Sequence, residues 1–273
     1  MFWFFKLIRM YFKLLLCGMI FFYCQVLSAQ VLETEESNPL APNQFEIGAA
    51  VEFQTSKAGT ETAIPIGMEY GLSKRLTLLL EPVAYTNIHN KIGRSATGLG
   101  DLEITLFYQL NKESHTWPAI SLSAEVKLPT SKDTLIGTGK TDFTPFIIVS
   151  KTLGKFYTSL NLSYTFLGKP AGVEVANLFN YALGSIYTLS PKDVLFGEVY
   201  GNTSAFGADV PEPANGTVTT EISSGELVTA IGYGRYIRSD LLLSFGVSHD
   251  NNNAFLFRPG IEWSFGKKRI KIH

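Results

Sequence analysis

GDLEITLFYQL, residues 100–110, is followed by the polar reversal NKESHT, residues 111–116, and then by WPAISLSAEVKL, residues 117–128. In the first run Leu102, Ile104, Leu106, Tyr108 and Leu110 fall on one face, while Asp101, Glu103, Thr105, Phe107 and Gln109 fall on the other. The second run sets Ile120, Leu122, Ala124, Val126 and Leu128 against Ser121, Ser123, Glu125 and Lys127. Side chains alternate across a strand, so period-two patterning on both sides of a polar turn predicts an antiparallel hairpin with one apolar face. In a soluble sandwich that face meets a second sheet. In an outer-membrane barrel it meets lipid, and each run has the length of a tilted strand crossing a bilayer.

The rest of the chain decides between these two. Upstream, alternating runs cover residues 45–54, 66–72 and 76–81. Downstream they cover 142–153, 156–166, 176–189, 194–202, 226–237, 241–249 and 254–265. With the hairpin this makes about twelve strands, an even number, as bacterial single-chain barrels have. The links alternate in length. Those near residues 73–75, 111–116, 153–155, 190–193 and 238–240 are short, and those at 55–62, 89–98, 129–141, 167–175 and 203–224 are longer. Only the link at 250–253 breaks the rhythm. Short periplasmic turns and longer outer loops are a property of transmembrane barrels, whereas Greek-key crossings give no such alternation. Tyr70, Tyr85, Tyr108, Trp117, Phe156, Phe166, Tyr187 and Trp263 lie near run ends, where interfacial aromatics belong. The predicted fold is therefore all-β, a transmembrane antiparallel up-and-down β-barrel.

Composition agrees. Charged residues make up 17% of the chain, against roughly 25% in an average globular protein. The net charge of −1 leaves no basic footprint for nucleic acid. At the start, Lys6, Arg9 and Lys13 precede an apolar run from Leu14 to Tyr23, and Ser28 and Ala29 follow. That order is a secretory signal, with cleavage expected before Gln30; a retained anchor helix is the alternative. Residues 1–29 are thus read as signal peptide, 30–42 as an exposed acidic periplasmic lead-in, 43–265 as the barrel and 266–273 as a basic tail. Both cysteines, Cys17 and Cys24, leave with the signal, so no disulfide staples the barrel. No later window is apolar enough for a helical span.

From Gly98 to Gly168 a family pattern is present. Gly98, Gly100 and Asp101 open a strand. Glu125, Lys127, Leu128, Pro129 and Thr130 close the next, Gly137, Gly139 and Asp142 follow, and Ser150, Lys151, Leu153, Gly154 and Tyr164 complete the set. These positions resemble the family called MetA-pathway of phenol degradation, with Ser131 where that family usually has glycine. The resemblance implies an outer-membrane barrel of transporter type; it carries no functional residues over to this chain. Phe265 is similar to the terminal aromatic read by the outer-membrane assembly machinery, here followed by GKKRIKIH.

If the apolar faces meet lipid, the opposite faces place Glu46, Glu52, Glu69, Glu81, Asp101, Glu103, Glu125, Glu198 and Glu262 in the lumen, with Lys127 and Arg258 as cations. Crowded carboxylates attract cations, so the lumen is expected to prefer cationic or neutral polar solutes. Some of the acids would instead serve as struts to Lys127 or Arg258. Inward Phe107, Tyr157, Phe196 and Tyr200 are expected to narrow the passage. Two tempting motifs fail. Gly137 to Thr141 ends like a phosphate loop but lacks the earlier glycine and the following helix. Ser248, His249 and Asp250 imitate a rim hydrolase, but neighbours on a strand face opposite sides. The scattered histidines suggest no metal site, and no cofactor is expected. The reading is a non-enzymatic outer-membrane channel for small solutes, aromatic or hydrophobic compounds among them, with lipid, solute and the assembly machinery as partners. A closed barrel with a structural role, or one that binds through residues 203–224, is the alternative, with a rim hydrolase at His249 as a third reading.

Overall fold

A computed structural model describes residues 33–170, 174–205 and 225–266. The expected signal peptide, most of the 203–224 loop and nearly all of the basic tail lie outside the described residues. The strands are β1 (Phe45–Ala50), β2 (Glu52–Thr55), β3 (Gly59–Gly71), β4 (Leu76–Asn90), β5 (Ala96–Gly98), β6 (Leu102–Asn111), β7 (Ala119–Leu128), β8 (Asp142–Leu153), β9 (Phe156–Thr165), β10 (Leu178–Thr188), β11 (Asp193–Asn202), β12 (Glu226–Arg238), β13 (Leu241–Asp250) and β14 (Phe255–Phe265). All neighbours are antiparallel, and β14 pairs with β1 and β2, which closes the sheet. Among the described residues β1 and β2 continue one another past Val51, both lying between β3 and β14, and β5 and β6 do so past residues 99–101, both lying along β4. Fourteen segments therefore make a barrel of twelve staves.

The apolar alternation sets which side faces out. Leu183 on β10, for example, is half exposed and sits between Leu160 and Val199, which are also exposed. Its neighbours in sequence point inward: Ala182 is buried, and Gly184 sits against Thr34. In water this outward belt would be a large liability; in lipid it is the solvated surface. Aromatics rim the belt. Phe45, Trp263 and Phe265 stack at the end where the chain enters the barrel, and Arg238 lies over Trp263, whose ring nitrogen donates to Asp240. At the other end Phe143, Tyr164 and Phe166 cluster. Arg235, the cation on an outward face, sits at the short-turn rim on the Asp193 carboxylate at 2.8 Å.

Two links differ from the sequence reading. The polar stretch 55–62 shrinks to a turn over 56–58, because Gly59 to Ala63 already belong to β3. Likewise β4 runs on to Asn90, and β5 takes up part of the 89–98 link. These extensions carry Thr60, Thr62, Thr86 and Asn87, which pair across β3 and β4 beyond the apolar belt. Outside the bilayer neither face needs to be apolar, so the ladder continues with no alternation in sequence to mark it.

The interior is not uniformly polar. Near the short-turn end Ile186, Val194, Phe196 and Leu242 form a buried inward cluster, with Tyr236 against it. Gly232, across from Phe196 in the β11–β12 register, makes room for that ring: a Cβ there would come within 2.1 Å of it. A second cluster joins Leu79, Phe107 and Ile148, with Phe146 packed on it. The mixed face of β8, where Asp142 and Thr144 share a side with Phe146 and Ile148, is explained by this cluster.

Candidate functional site

The lumen holds a segment that the sequence reading had placed outside it. Residues 33–42, expected as an exposed lead-in, run inside the barrel. Asn43 enters at the short-turn end, where its amide donates to the Gly71 carbonyl. The Leu40 amide then donates to Thr77 Oγ1 at 3.0 Å. Ser37, only 1% exposed, is held from several strands. Its amide donates to Ser150 Oγ, its hydroxyl to the Ile148 carbonyl, and its own carbonyl accepts from Ser121 Oγ and Gln109 Nε2. Asn38 Nδ2 donates to the Tyr157 hydroxyl at 2.7 Å. Asn161 pairs with the backbone of Glu35 in both directions, accepting from its amide and donating to its carbonyl. At mid-barrel the Glu198 carboxylate accepts three hydrogen bonds, from the amides of Glu33 and Thr34 at 3.1 Å and from Thr34 Oγ1 at 2.9 Å. Arg258 completes the anchorage by pairing with Glu33 of the segment and with Glu52 of the wall at 2.5 Å.

The wall was prepared for this insert by its own sequence. Ser121, Ser123, Ser150, Ser159, Asn161 and Ser163 all face inward from β7, β8 and β9 and are buried. Their side chains are too short to fill a barrel of this girth, whereas bulky ones would have filled it. They leave space and offer hydroxyls and amides, which is what a backbone segment without a strand partner needs.

The segment divides the interior. Between it and the wall of β1 to β7 lies a chamber of about 540 Å³, and a smaller cavity of about 180 Å³ lies on the β9 to β12 side. Eight of the eleven charged residues predicted to line the lumen border the larger chamber: Glu52, Glu69, Glu81, Asp101, Glu103, Glu125, Lys127 and Arg258. Of the other three, Glu198 holds the lead-in, Glu46 accepts from Ser264 Oγ at 2.9 Å, and Glu262 is buried across from Gly48. The lead-in adds Glu33, Glu35 and Glu36 and β3 adds Glu61, contributions the sequence reading missed. The smaller cavity is lined by Asn161, Ser163, Asn180, Tyr200 and Asn202. One half of the lumen is therefore densely acidic, while the other, bordered by Glu33 and Glu226 as well, is lined mostly by amide and hydroxyl groups.

Cross-strand registers show how closely the charges sit. Glu81 is opposite Glu103, Glu103 opposite Lys127, and Lys127 opposite Asp142. Lys127 closes on Asp142 at 2.6 Å, and Asp142 also accepts from the Gly168 amide. Like charges directly opposite one another destabilise a sheet, so the Glu81–Glu103 pair is not there for the strength of the wall. Glu46 opposite Glu69 repeats the arrangement on β1 and β3.

Above the chamber the 129–141 loop turns inward, and Ile136, Gly137 and Thr138 border the space. Asp101 holds the loop by accepting from the Ser131 amide, and Thr130 Oγ1 donates to the Gly100 carbonyl. Gly137 comes so close that a Cβ would lie 2.6 Å from an Asp101 carboxylate oxygen. On the outside, Arg94 grips Asp133 with two hydrogen bonds, which holds the Asp133 carboxyl below the usual carboxylate range. Part of the family pattern, Gly100, Asp101, Lys127, Thr130, Gly137 and Asp142, thus meets at one place, while Ser150, Lys151, Leu153 and Gly154 lie towards the other end of β8.

The rejected motifs are accounted for. Residues 137–141 belong to this inward loop and are followed by β8, not a helix. Ser248 is buried, whereas the His249 ring lies against Phe255, and Asp250 caps its own turn through Asn252 and Ala254. These three groups do not converge. Among the described residues no group of histidine, cysteine or acidic side chains is placed to hold a metal ion.

Comparison with known proteins agrees with the architecture. The COG4313 outer membrane channel from Pseudomonas putida F1 superposes with a TM-score of 0.66 at 13% identity, over 86% of this chain and all of that one. The KdgM porin, solved with disordered oligogalacturonate, gives 0.53 at 10% identity, over 81% of this chain and 99% of that one. These likenesses establish the fold. No curated protein sequence matches the chain. The family model described as "Putative MetA-pathway of phenol degradation" matches residues 44–220, from the entry to β1 past the end of β11. This chain is an outer-membrane β-barrel belonging to that family.

Proposed function

We propose that the protein is an outer-membrane channel for small solutes, held closed at rest by its own lead-in. The observation that carries this is the nature of the obstruction. A barrel meant to stay shut can fill its lumen with bulky inward side chains. Here Ser121, Ser123, Ser150, Ser159 and Ser163 leave the inner side of β7 to β9 largely unfilled, and the space is taken by a segment with no strand partner, held by side-chain hydrogen bonds to Glu198, Asn161, Ser150 and Gln109. Each such bond has a net worth of about 1 kcal/mol, because water replaces it on release. The seal is thus a set of individually modest contacts, and what it would uncover is a polar passage with an acidic side.

Aromatic and hydrophobic compounds are included among the solutes, on the strength of the family and of the apolar clusters around Phe107 and Phe196 inside the lumen. The experiment is single-channel recording of refolded residues 30–273 in a planar bilayer, beside a chain lacking residues 30–41. The full chain should show small or infrequent steps and the shortened chain larger and sustained ones. A shortened chain that folds, by heat-modifiable gel mobility, and stays silent would refute the channel.

A further inference from the structure

We infer that the smaller cavity is a binding site for a neutral, polyhydroxylated solute the size of one pyranose ring, an inference that rests on the channel reading for how such a solute enters. The strand registers build its floor. On the inner face Ser163 of β9, Asn180 of β10, Asn202 of β11 and Glu226 of β12 stand directly opposite one another. Neighbouring strands are about 4.8 Å apart, so these polar groups form one unbroken row across the wall. Nearer the short-turn end, the next inward row is Asn161, Ala182, Tyr200 and Val228. Its small member, Ala182, leaves a hollow between the Asn161 amide and the Tyr200 ring, and Glu33 and Phe146 border the same space.

The hydrogen bonds leave unused groups of both kinds facing this space. Asn202 Oδ1 accepts from the Glu226 amide at 3.1 Å, which fixes the orientation of the carboxamide, because a backbone N–H only donates. Its Nδ2 has no partner among the described residues, and neither has the Tyr200 hydroxyl. Asn180 uses Nδ2 for Ser163 Oγ and Thr165 Oγ1, each at 3.0 Å, and its Oδ1 is left over as an acceptor. A ligand here must accept from some groups and donate to others. Hydroxyl groups do both, whereas an ammonium group accepts nothing and a carboxylate donates nothing. Glu33 and Glu226 also border the space, and among the described residues no cation lines it, which further disfavours an anion.

Size and shape narrow the class. The volume of about 180 Å³ corresponds to about six waters at roughly 30 Å³ each. One sugar ring fills that space, and a disaccharide exceeds it. Water alone would satisfy the polar row but would make no use of the aromatic faces. Tyr200 and Phe146 offer the apolar surface on which the C–H face of a sugar packs, while Asn180 and Asn202 reach the hydroxyls at its edge. Asn180, Asn202 and Glu226 lie at the long-loop ends of their strands. A solute arriving from outside therefore meets this site before it meets Glu198 and the seated lead-in.

The test is saturation-transfer NMR with D-glucose on the folded chain of residues 30–273, in a detergent without a sugar headgroup, with bilayer conductance read separately. A saturable glucose signal is expected. Glucosamine and glucuronate, which put a positive or a negative group on the same ring, should bind more weakly. Tyr200→Phe/Asn202→Asp removes both unused donors yet keeps the aromatic ring and an acceptor for the Glu226 amide. It should weaken glucose binding at least about tenfold, and Tyr200→Phe alone about threefold. Glu113→Gln, in a short turn away from the cavity, should bind as the parent does. Absence of a saturable signal, parental binding by both Tyr200 variants, or binding of either charged analogue as tight as that of glucose would each overturn the site. A chain that conducts but does not bind glucose loses only this inference. A chain that binds glucose while staying silent even without residues 30–41 loses only the channel.

Discussion

Removing the Glu198 carboxylate should open the barrel. Glu198→Ala deletes three hydrogen bonds to the lead-in, two from backbone amides and one from the Thr34 hydroxyl. Bonds to a charged acceptor are worth about 1.5–3 kcal/mol each, but lumen water reclaims part of that. We take about 3 kcal/mol for the three together, which shifts the balance between seated and released lead-in roughly a hundredfold. The barrel itself should survive, because alanine is tolerated on an inward face and the ladder from β10 to β12 does not depend on that side chain.

The natural absence of cysteine after residue 29 provides the assay. Ser37→Cys places one thiol at a position that is 1% exposed when the lead-in is seated. When seating and release are fast relative to labelling, the rate of reaction with a water-soluble maleimide follows the released population. Adding Glu198→Ala to Ser37→Cys should raise that rate by about two orders of magnitude, with longer open times in bilayers. Asp133→Ala, at the outer loops, should leave it unchanged. If labelling and open time stay at the parent level while heat-modifiable mobility shows a folded barrel, the lead-in is not held by Glu198 and the reasoning fails.

Three further outcomes follow from the same geometry. Reversal potentials across a salt gradient should show cation preference, and more so in Arg258→Met, which removes one of the two chamber cations; anion preference in either would contradict an acidic passage. Leu183→Arg on the exposed mid-belt of β10 should cost about 2–4 kcal/mol of stability in lipid vesicles, read as a lower urea midpoint; an unchanged midpoint would mean that this face does not meet lipid. The Arg94–Asp133 tie between outer loops is pH-dependent. Because Asp133 is depressed below its unfolded value, the tie is complete above the ordinary carboxylate range and is lost as pH falls through the depressed value. Protease cleavage within residues 129–141 should therefore rise only in acid, and Arg94→Ala should show the acid pattern already at neutral pH.

The sequence made the wall legible and left the occupant illegible, for a physical reason. Lipid on one side and solvent on the other force residues such as Leu102, Ile104 and Leu106 to alternate with Glu103 and Thr105, so strands inside the bilayer announce themselves. Where β3 and β4 pass beyond the bilayer that constraint lapses, and Thr60, Thr62 and Asn87 read as a loop although they are paired. The lead-in has no periodicity, because it is neither helix nor strand and its bonds go to side chains far away in sequence. Glu33 and Glu35, which look like a solvated acidic tail, meet Glu198 and Asn161 across the lumen.

Yet the wall did record the insert indirectly. A barrel strand that faces a filled interior needs volume on its inner side, and Ser121, Ser123, Ser150, Ser159 and Ser163 supply almost none. Small hydroxyl side chains on the inner face of three consecutive strands imply either an open channel there or another part of the molecule that fills it. The acidic wall of β1 to β7 makes the complementary statement about charge. The lead-in is bonded to the serine wall and Glu198 on one side and to Thr77, Gln109 and Arg258 on the other, where carboxylates also crowd it. Release would require contacts on both sides to give way, and in a gated channel Glu198 and Ser150 would affect opening while Glu81 and Glu103 would affect what passes.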